Sequence, residues 1–148
     1  MPSGRNHWLV AAGLLSAAAA VLHLAVIVGG PGWYRFFGAG EAMARLAERG
    51  SWRPTLTTLA ITAVLTIWAA YAFAGAGLIR RLPLMRTALV TIAAIYLLRG
   101  SVLIAALVFR PAAVDAFLLW SSLIVLVYGL AYAVGTWRAW PRLSRRAR

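Results

Sequence analysis

The sequence predicts an all-α integral membrane protein, a bundle of four transmembrane helices with a short interfacial helix in the first outer loop. The 148 residues are 63% hydrophobic, whereas a soluble domain is about 45–50% apolar. The excess lies in four apolar runs, at about 8–28, 55–78, 87–109 and 114–137. Each is close to the ~20 residues that a helix needs to cross the hydrocarbon core. None alternates as a barrel strand does. We therefore expect one transmembrane domain over 1–148.

The first run, from Trp8 to Val28, resembles a signal peptide in its position. Its apolar stretch is longer than a typical signal core, and no A-x-A cleavage site closes its end. We therefore expect a retained helix. Gly13 and Ala17 permit close approach of another helix, which makes a homo-oligomer plausible.

The segment 29–53 is the one long connection. It carries an aromatic run that includes Trp33 and Tyr34, and then a stretch from Glu41 to Arg49 that fits a short helix. Glu41 would lie at the positive end of this helix, and Gly50 would cap it. Two interpretations stand side by side: an aromatic anchor in the headgroup zone, or a lid over a cavity between the helices.

The remaining runs form helices two, three and four. Helix two carries a stripe of hydroxyls that includes Thr58 and Thr62, and such stripes either line a cavity or bond the carbonyls of their own helix. The short turn at Arg110-Pro111 predicts that helices three and four are antiparallel neighbours. Ser121 of helix four is a further polar residue within a span.

The arginines predict the orientation. Nine fall on the side of the two termini, including those of a basic tail at 138–148, and five fall on the other side. The positive-inside rule then places both termini in the cytoplasm. All 15 basic residues are arginine, which together with the abundant alanine suggests a bacterial genome rich in G and C. We expect a multi-pass protein of the bacterial inner membrane.

Composition excludes several classes of site. The chain has no cysteine, two histidines and three acidic residues, so we expect no metal site and no cofactor. No glycine loop matches a nucleotide-binding fingerprint. The net charge of +12 sits at the ends of the apolar runs and in the tail. This pattern favours anionic membrane lipids, and not nucleic acid, as the partner.

Arg99 lies near the middle of the third run and is the strongest candidate for a functional residue. An arginine at the bilayer centre costs ~2.5–3.5 kcal/mol on insertion scales, so it usually faces protein, water or a ligand. All three acidic residues lie on the outer side of the predicted bundle, in the connection 29–53 or at the outer end of the fourth run. The predicted ligand-binding set contains Arg99, His23, Tyr96, Glu41, Thr58, Thr62, Ser121, Trp33 and Tyr34.

Three functions fit these residues. The first is the binding or transport of an amphipathic, anionic small molecule or lipid in an outward-facing cavity within the membrane. The second is an enzyme that acts on a lipid-like substrate, with His23 and Glu41 as its acid–base pair. The third is a structural or assembly subunit of a larger membrane complex, in which Arg99 would meet an acidic residue of a partner helix.

Overall fold

The computed structural model describes residues 5–143 and is all-α. Four long helices are α1 (His7–Gly29), α4 (Arg53–Ala76), α5 (Met85–Phe109) and α6 (Ala116–Leu143). Two short helices, α2 (Pro31–Phe36) and α3 (Glu41–Glu48), connect α1 to α4, and a 3-10 turn at Pro111–Ala113 connects α5 to α6. The four long helices are long and apolar enough to cross a membrane. The predicted fold class is confirmed.

Local signals place the helix ends a few residues away from the predicted ones. Gly77 adopts φ +80° and donates to the Ala74 carbonyl, so α4 ends at Ala76 and not at about 78. Asp115 accepts a hydrogen bond from the Leu118 amide at 2.6 Å, which makes it the N-cap of α6. Helix α6 then continues to Leu143, so the first part of the predicted tail is helical. Residues 144–148 of that tail lie outside the described part of the chain.

The chain divides into two compact units, and the first comprises residues 5–15 and 68–143 of the described chain. Its centre is the antiparallel pair α5 and α6, as the turn at Arg110-Pro111 predicts. Two glycines lie at the contact of this pair. A Cβ on Gly100 would come within 3.0 Å of the Leu126 backbone nitrogen, and one on Gly129 within 2.9 Å of the Leu97 nitrogen. The two helix backbones therefore approach each other more closely than alanine would permit.

The start of α1 packs into the same unit. Leu9 is fully buried and fills the space beside Gly75 and Gly135, where a Cβ would lie 2.8 Å and 2.7 Å from its side chain. The Asn6 amide donates to the Gly135 carbonyl at 2.7 Å. These contacts fix the beginning of α1 against the last turns of α6.

The second unit comprises residues 16–67. Its helices α2 and α3 form a small structure, here called the platform (residues 31–50), with a core of Tyr34 and Ala44 packed on Val26 of α1. Both platform helices end in the same way, because Gly38 and Gly50 adopt positive φ and donate to carbonyls of the preceding turn. The predicted short helix with its cap at Gly50 is thus present, and α2 precedes it.

Candidate functional site

Arg99 lies in α5, ten residues before Phe109, or ~15 Å along the helix axis. The side chain is exposed. Its Nη1 donates to the Ser122 hydroxyl of α6 at 3.3 Å, and this is its only hydrogen bond to any of the residues 5–143. Ser122 is fully buried. A neutral hydroxyl therefore serves as the protein partner of a cation in the middle of an apolar helix.

The three carboxylate side chains of the sequence all have other partners. Glu41 binds Arg35 at 2.8 Å and Arg45 at 3.0 Å, and Glu48 binds Arg35 at 2.7 Å. Asp115 caps α6. Within the described residues, no carboxylate lies within 4.0 Å of the Arg99 guanidinium, since the ion pairs found there all belong to the platform.

The platform ion pairs change the acid–base properties of Glu41. Hydrogen bonds from Arg35 and then Arg45 lower the pKa of the Glu41 carboxyl from its ordinary 4.5 to about 2, and the same network raises the pKa of Arg35. All of these side chains are solvent-exposed. Glu41 is consequently an anion at neutral pH and a weak proton acceptor.

Tyr96 lies one turn before Arg99 on α5 and belongs to an aromatic cluster within the first unit. Its ring contacts Trp68 at a centroid distance of 5.0 Å, Tyr128 at 5.4 Å and Tyr132 at 5.5 Å. Tyr132 is fully buried, and its hydroxyl donates to the Trp68 carbonyl at 3.0 Å. These contacts are typical of a packed core, and they fix the helix turn that precedes Arg99.

Three of the predicted site residues in the second unit bond to their own helices. His23 Nδ1 lies 2.7 Å from the Ala19 carbonyl, so this nitrogen carries a proton and donates it to that carbonyl. Thr58 Oγ1 donates to the Pro54 carbonyl at 2.8 Å, and Thr62 Oγ1 to the Thr58 carbonyl at 2.9 Å. The structure thus favours the second interpretation of the threonine stripe, in which hydroxyls bond carbonyls of the same helix.

The two aromatic residues of the predicted set differ in their environment. Tyr34 is 2% exposed and lies in the core of the platform. Its hydroxyl is 3.4 Å from Thr58 Oγ1, and because Thr58 donates its proton to Pro54, Tyr34 is the donor of this pair. Trp33 is 43% exposed and packs against Phe37 at a centroid distance of 5.6 Å. Tyr34 therefore holds the platform together, whereas Trp33 lies at its surface.

Sequence reasoning selected Ser121, but Arg99 contacts its neighbour Ser122. The Ser121 hydroxyl donates to the Leu118 carbonyl of its own helix at 3.4 Å. Adjacent residues on a helix point about 100° apart, so only the register of α5 against α6 decides which serine faces Arg99. The antiparallel pairing was predictable from the turn, but its register was not.

The predicted set falls into two groups that the structure describes separately. Arg99, Tyr96 and Ser121 belong to the first unit, and the remaining six residues belong to the second. Within the described residues, His23 and Glu41 form no hydrogen bond with each other. His23 bonds the Ala19 carbonyl, and Glu41 bonds Arg35 and Arg45. No group of three or more metal-ligating side chains occurs in the described range.

Comparison with protein families, with curated proteins and with solved structures gave no match to this chain. Four apolar helices of membrane-spanning length make this a small, multi-pass integral membrane protein.

Proposed function

We propose that this protein binds the acidic group of an amphipathic molecule or lipid at Arg99, within the membrane. The observation that carries the proposal is the state of the Arg99 guanidinium, which is exposed at mid-span and hydrogen-bonded to a neutral serine. Every carboxylate side chain of the chain is engaged elsewhere. An anion from outside the described chain is the partner that this arrangement lacks.

The energetics of a cation within a membrane span support this step. A guanidinium carries five N–H donors, and one contact at 3.3 Å to Ser122 leaves most of them without a protein acceptor. An arginine near the bilayer centre costs ~2.5–3.5 kcal/mol, and one neutral hydrogen bond returns only ~0.5–1.5 kcal/mol. A bidentate carboxylate or phosphate gives shorter, charge-assisted bonds and offsets much more of this cost.

The surroundings of Arg99 favour a ligand with a long apolar part. The neighbouring side chains on α5 include Ile95, Leu98 and Val102, which are 44%, 73% and 44% exposed. An acyl chain beside these residues would pack against apolar surface while its charged group meets Arg99. A small hydrophilic anion would gain nothing from the same surface.

The structure gives less support to the enzyme hypothesis. An acid–base role for Glu41 requires a carboxyl that exchanges protons near neutral pH, but the platform arginines hold its pKa at about 2. Among the described residues, the hydrogen bond of His23 is the one between its Nδ1 and the Ala19 carbonyl. This bond lies within its own helix and lends no support to an acid–base pair of His23 with Glu41.

The test compares wild type with Arg99→Gln in mild detergent by native mass spectrometry. Each protein is titrated with oleate, a carboxylate on an 18-carbon chain, and with methyl oleate, which lacks the charge. We expect the wild type to bind oleate at least about tenfold more tightly than it binds methyl oleate. The Arg99→Gln variant should bind oleate at least about tenfold more weakly than the wild type does. Each difference corresponds to the loss of one charge-assisted hydrogen bond. Arg110→Gln, at the end of the same helix, is the matched control. Equal oleate binding by all three proteins would refute the proposal.

The same observation favours one second candidate, the assembly subunit. A carboxylate on a partner helix would satisfy Arg99 as a ligand carboxylate does. In that case a stoichiometric partner protein co-purifies with the wild type and is lost in Arg99→Gln, and no oleate adduct forms.

Transport requires release of the bound molecule on the other side of the membrane as well as binding. The flux of the bound molecule in proteoliposomes tests this step.

A further inference from the structure

The aromatic cluster around Tyr96 lies in the middle of the apolar helices of the first unit. Tyr96 comes eleven residues after Met85 and thirteen before Phe109, which is ~16 Å and ~20 Å along the axis of α5. The Trp68 ring packs against the Tyr96 ring at an interplanar angle of 78°, and the Tyr128 ring does so at 62°. An indole from α4 and a phenol from α6 therefore meet the same ring at mid-span.

Two polar side-chain atoms of this cluster have no hydrogen-bond partner in the described part of the chain. They are Nε1 of Trp68 and the hydroxyl of Tyr128, since the bond that joins Trp68 to α6 uses its backbone carbonyl. The sealed side-chain atoms without a partner in the same range belong to Arg86 and Thr136. The two atoms of the cluster are consequently open to the surroundings, and both residues are partly exposed. Tyr132 differs, because its hydroxyl is bonded and its side chain is fully buried.

The partner that these two groups lack is a hydrogen-bond acceptor. An indole N–H donates and cannot accept, whereas a phenol hydroxyl does both, so only an acceptor suits the pair. The bilayer core contains no water that would bond them. Tryptophan and tyrosine within a membrane protein usually place their polar ends among the headgroups. Two unbonded donors at mid-span therefore point to an acceptor that is dissolved in the hydrocarbon.

Three common acceptors fit this position poorly. The backbone carbonyls of a further transmembrane helix are already bonded within that helix. The ester carbonyls of phospholipids lie near the headgroups, about half of the ~30 Å hydrocarbon thickness away from mid-span. An anion gains more from a charge-assisted bond to Arg99 than from neutral donors. A neutral carbonyl group on an apolar molecule meets none of these objections.

We infer that Tyr128 is the centre of a binding site for the carbonyl oxygen of a neutral, apolar molecule, such as a ketone or a quinone that dissolves in the bilayer. The Trp68 indole offers a second donor on the neighbouring ring of the cluster. The apolar part of the ligand would lie along α6, where Val127 and Ile124 are 56% and 52% exposed. Burial of this surface favours a ligand with an alkyl chain. The inference does not rest on the proposed function, which concerns a charged group.

The experiment compares dioctyl ketone with heptadecane, an alkane of the same chain length without the carbonyl. The full chain in a mild non-ionic detergent is titrated with each compound, with native mass spectrometry as the readout. The wild type should bind the ketone several-fold more tightly than the alkane. Tyr128→Phe and Trp68→Phe should each weaken ketone binding by about two- to tenfold, the size of one neutral hydrogen bond. Tyr132→Phe is the matched control, because it removes a hydroxyl that is already bonded and buried, and it should leave ketone binding unchanged.

The infrared stretch of an isotope-labelled ketone carbonyl provides a readout that a change in packing alone would not move. A hydrogen bond lowers this frequency, so we expect a lower value with the wild type than with Tyr128→Phe. Tyr128→Phe removes no hydrogen bond to a described residue and should fold as the wild type does. Trp68→Phe alters ring packing as well, so the inference is decided by Tyr128→Phe.

Three results would overturn the inference. The first is equal binding of dioctyl ketone and heptadecane by the wild type, or an unchanged carbonyl frequency in Tyr128→Phe. The second is loss of ketone binding in Arg99→Gln but not in Tyr128→Phe, which would place the carbonyl at the guanidinium. The third is a dimer that the wild type forms and Tyr128→Phe does not, which would assign the hydroxyl to a contact between two copies of the chain.

Discussion

The contact between α5 and α6 depends on Gly129, and Gly129→Ala tests it. A Cβ at this position would lie 2.8 Å from Leu97 Cδ2 and 2.9 Å from the Leu97 backbone nitrogen. Carbon atoms in ordinary contact are about 3.5–4.0 Å apart. A side chain can turn away from such an overlap, but a backbone nitrogen cannot, so the two helices would have to separate.

The expected size follows from two opposing terms. Overpacking of a well-packed contact costs ~1–3 kcal/mol, and alanine gains up to ~1 kcal/mol over glycine in helix propensity. Because the backbone part of the overlap cannot relax, the upper end of the overpacking cost applies, and the net loss in free energy of unfolding is about 2 kcal/mol. Separation of the helices should also lengthen the contact between Arg99 and Ser122, since Gly100 packs at the same interface.

Unfolding of the full chain in mixed micelles, monitored by far-UV circular dichroism, measures this loss. Gly32→Ala is the control, because a Cβ there meets nothing within 4 Å, and we expect it to be neutral. The double variant Gly129→Ala with Leu97→Ala removes the side-chain part of the overlap and leaves the backbone part. Wild-type stability of Gly129→Ala, or its full rescue by Leu97→Ala, would refute the close approach of the two backbones.

Three more predictions concern single contacts. The pKa of Glu41 is lowered from its ordinary 4.5 to about 2. The stabilising contribution of this carboxylate is therefore complete above pH 4.5 and is lost as the pH falls through about 2. Thermal unfolding measured from pH 7 to pH 2 should show this loss in the wild type and not in Glu41→Gln. Thr58→Val should lower the free energy of unfolding by about 1–3 kcal/mol, because Thr58 is 5% exposed and its loss leaves a buried tyrosine hydroxyl without its acceptor. Thr66→Val, which removes only an exposed bond within its own helix, should stay within about 0.5 kcal/mol. Tyr132→Phe should lower the same quantity by about 1 kcal/mol, since it removes the bond to the Trp68 carbonyl, and a neutral result in denaturant unfolding would contradict that bond.

The limits of prediction differ between Arg99 and the contact of Arg86 with Trp140. Arg99 stood out in the sequence, because a single cation in an apolar run is visible without any structure. The contact of Arg86 with Trp140 did not, since the two residues are more than fifty positions apart and each is typical of a membrane interface by itself. Only the antiparallel pairing of α5 and α6 brings the guanidinium to 4.5 Å from the ring.

The sequence by itself determined the four helices, the short helix that begins at Glu41 and the antiparallel turn at Arg110-Pro111. These are local properties, because apolar length, capping residues and proline act within a few residues of the backbone. The tertiary structure decided that Arg99 meets Ser122 and not Ser121, and that Glu41 is held by the platform arginines. Such pairings depend on helix register and on the approach of distant backbones, and a rotation of one residue about a helix axis is enough to change the partner.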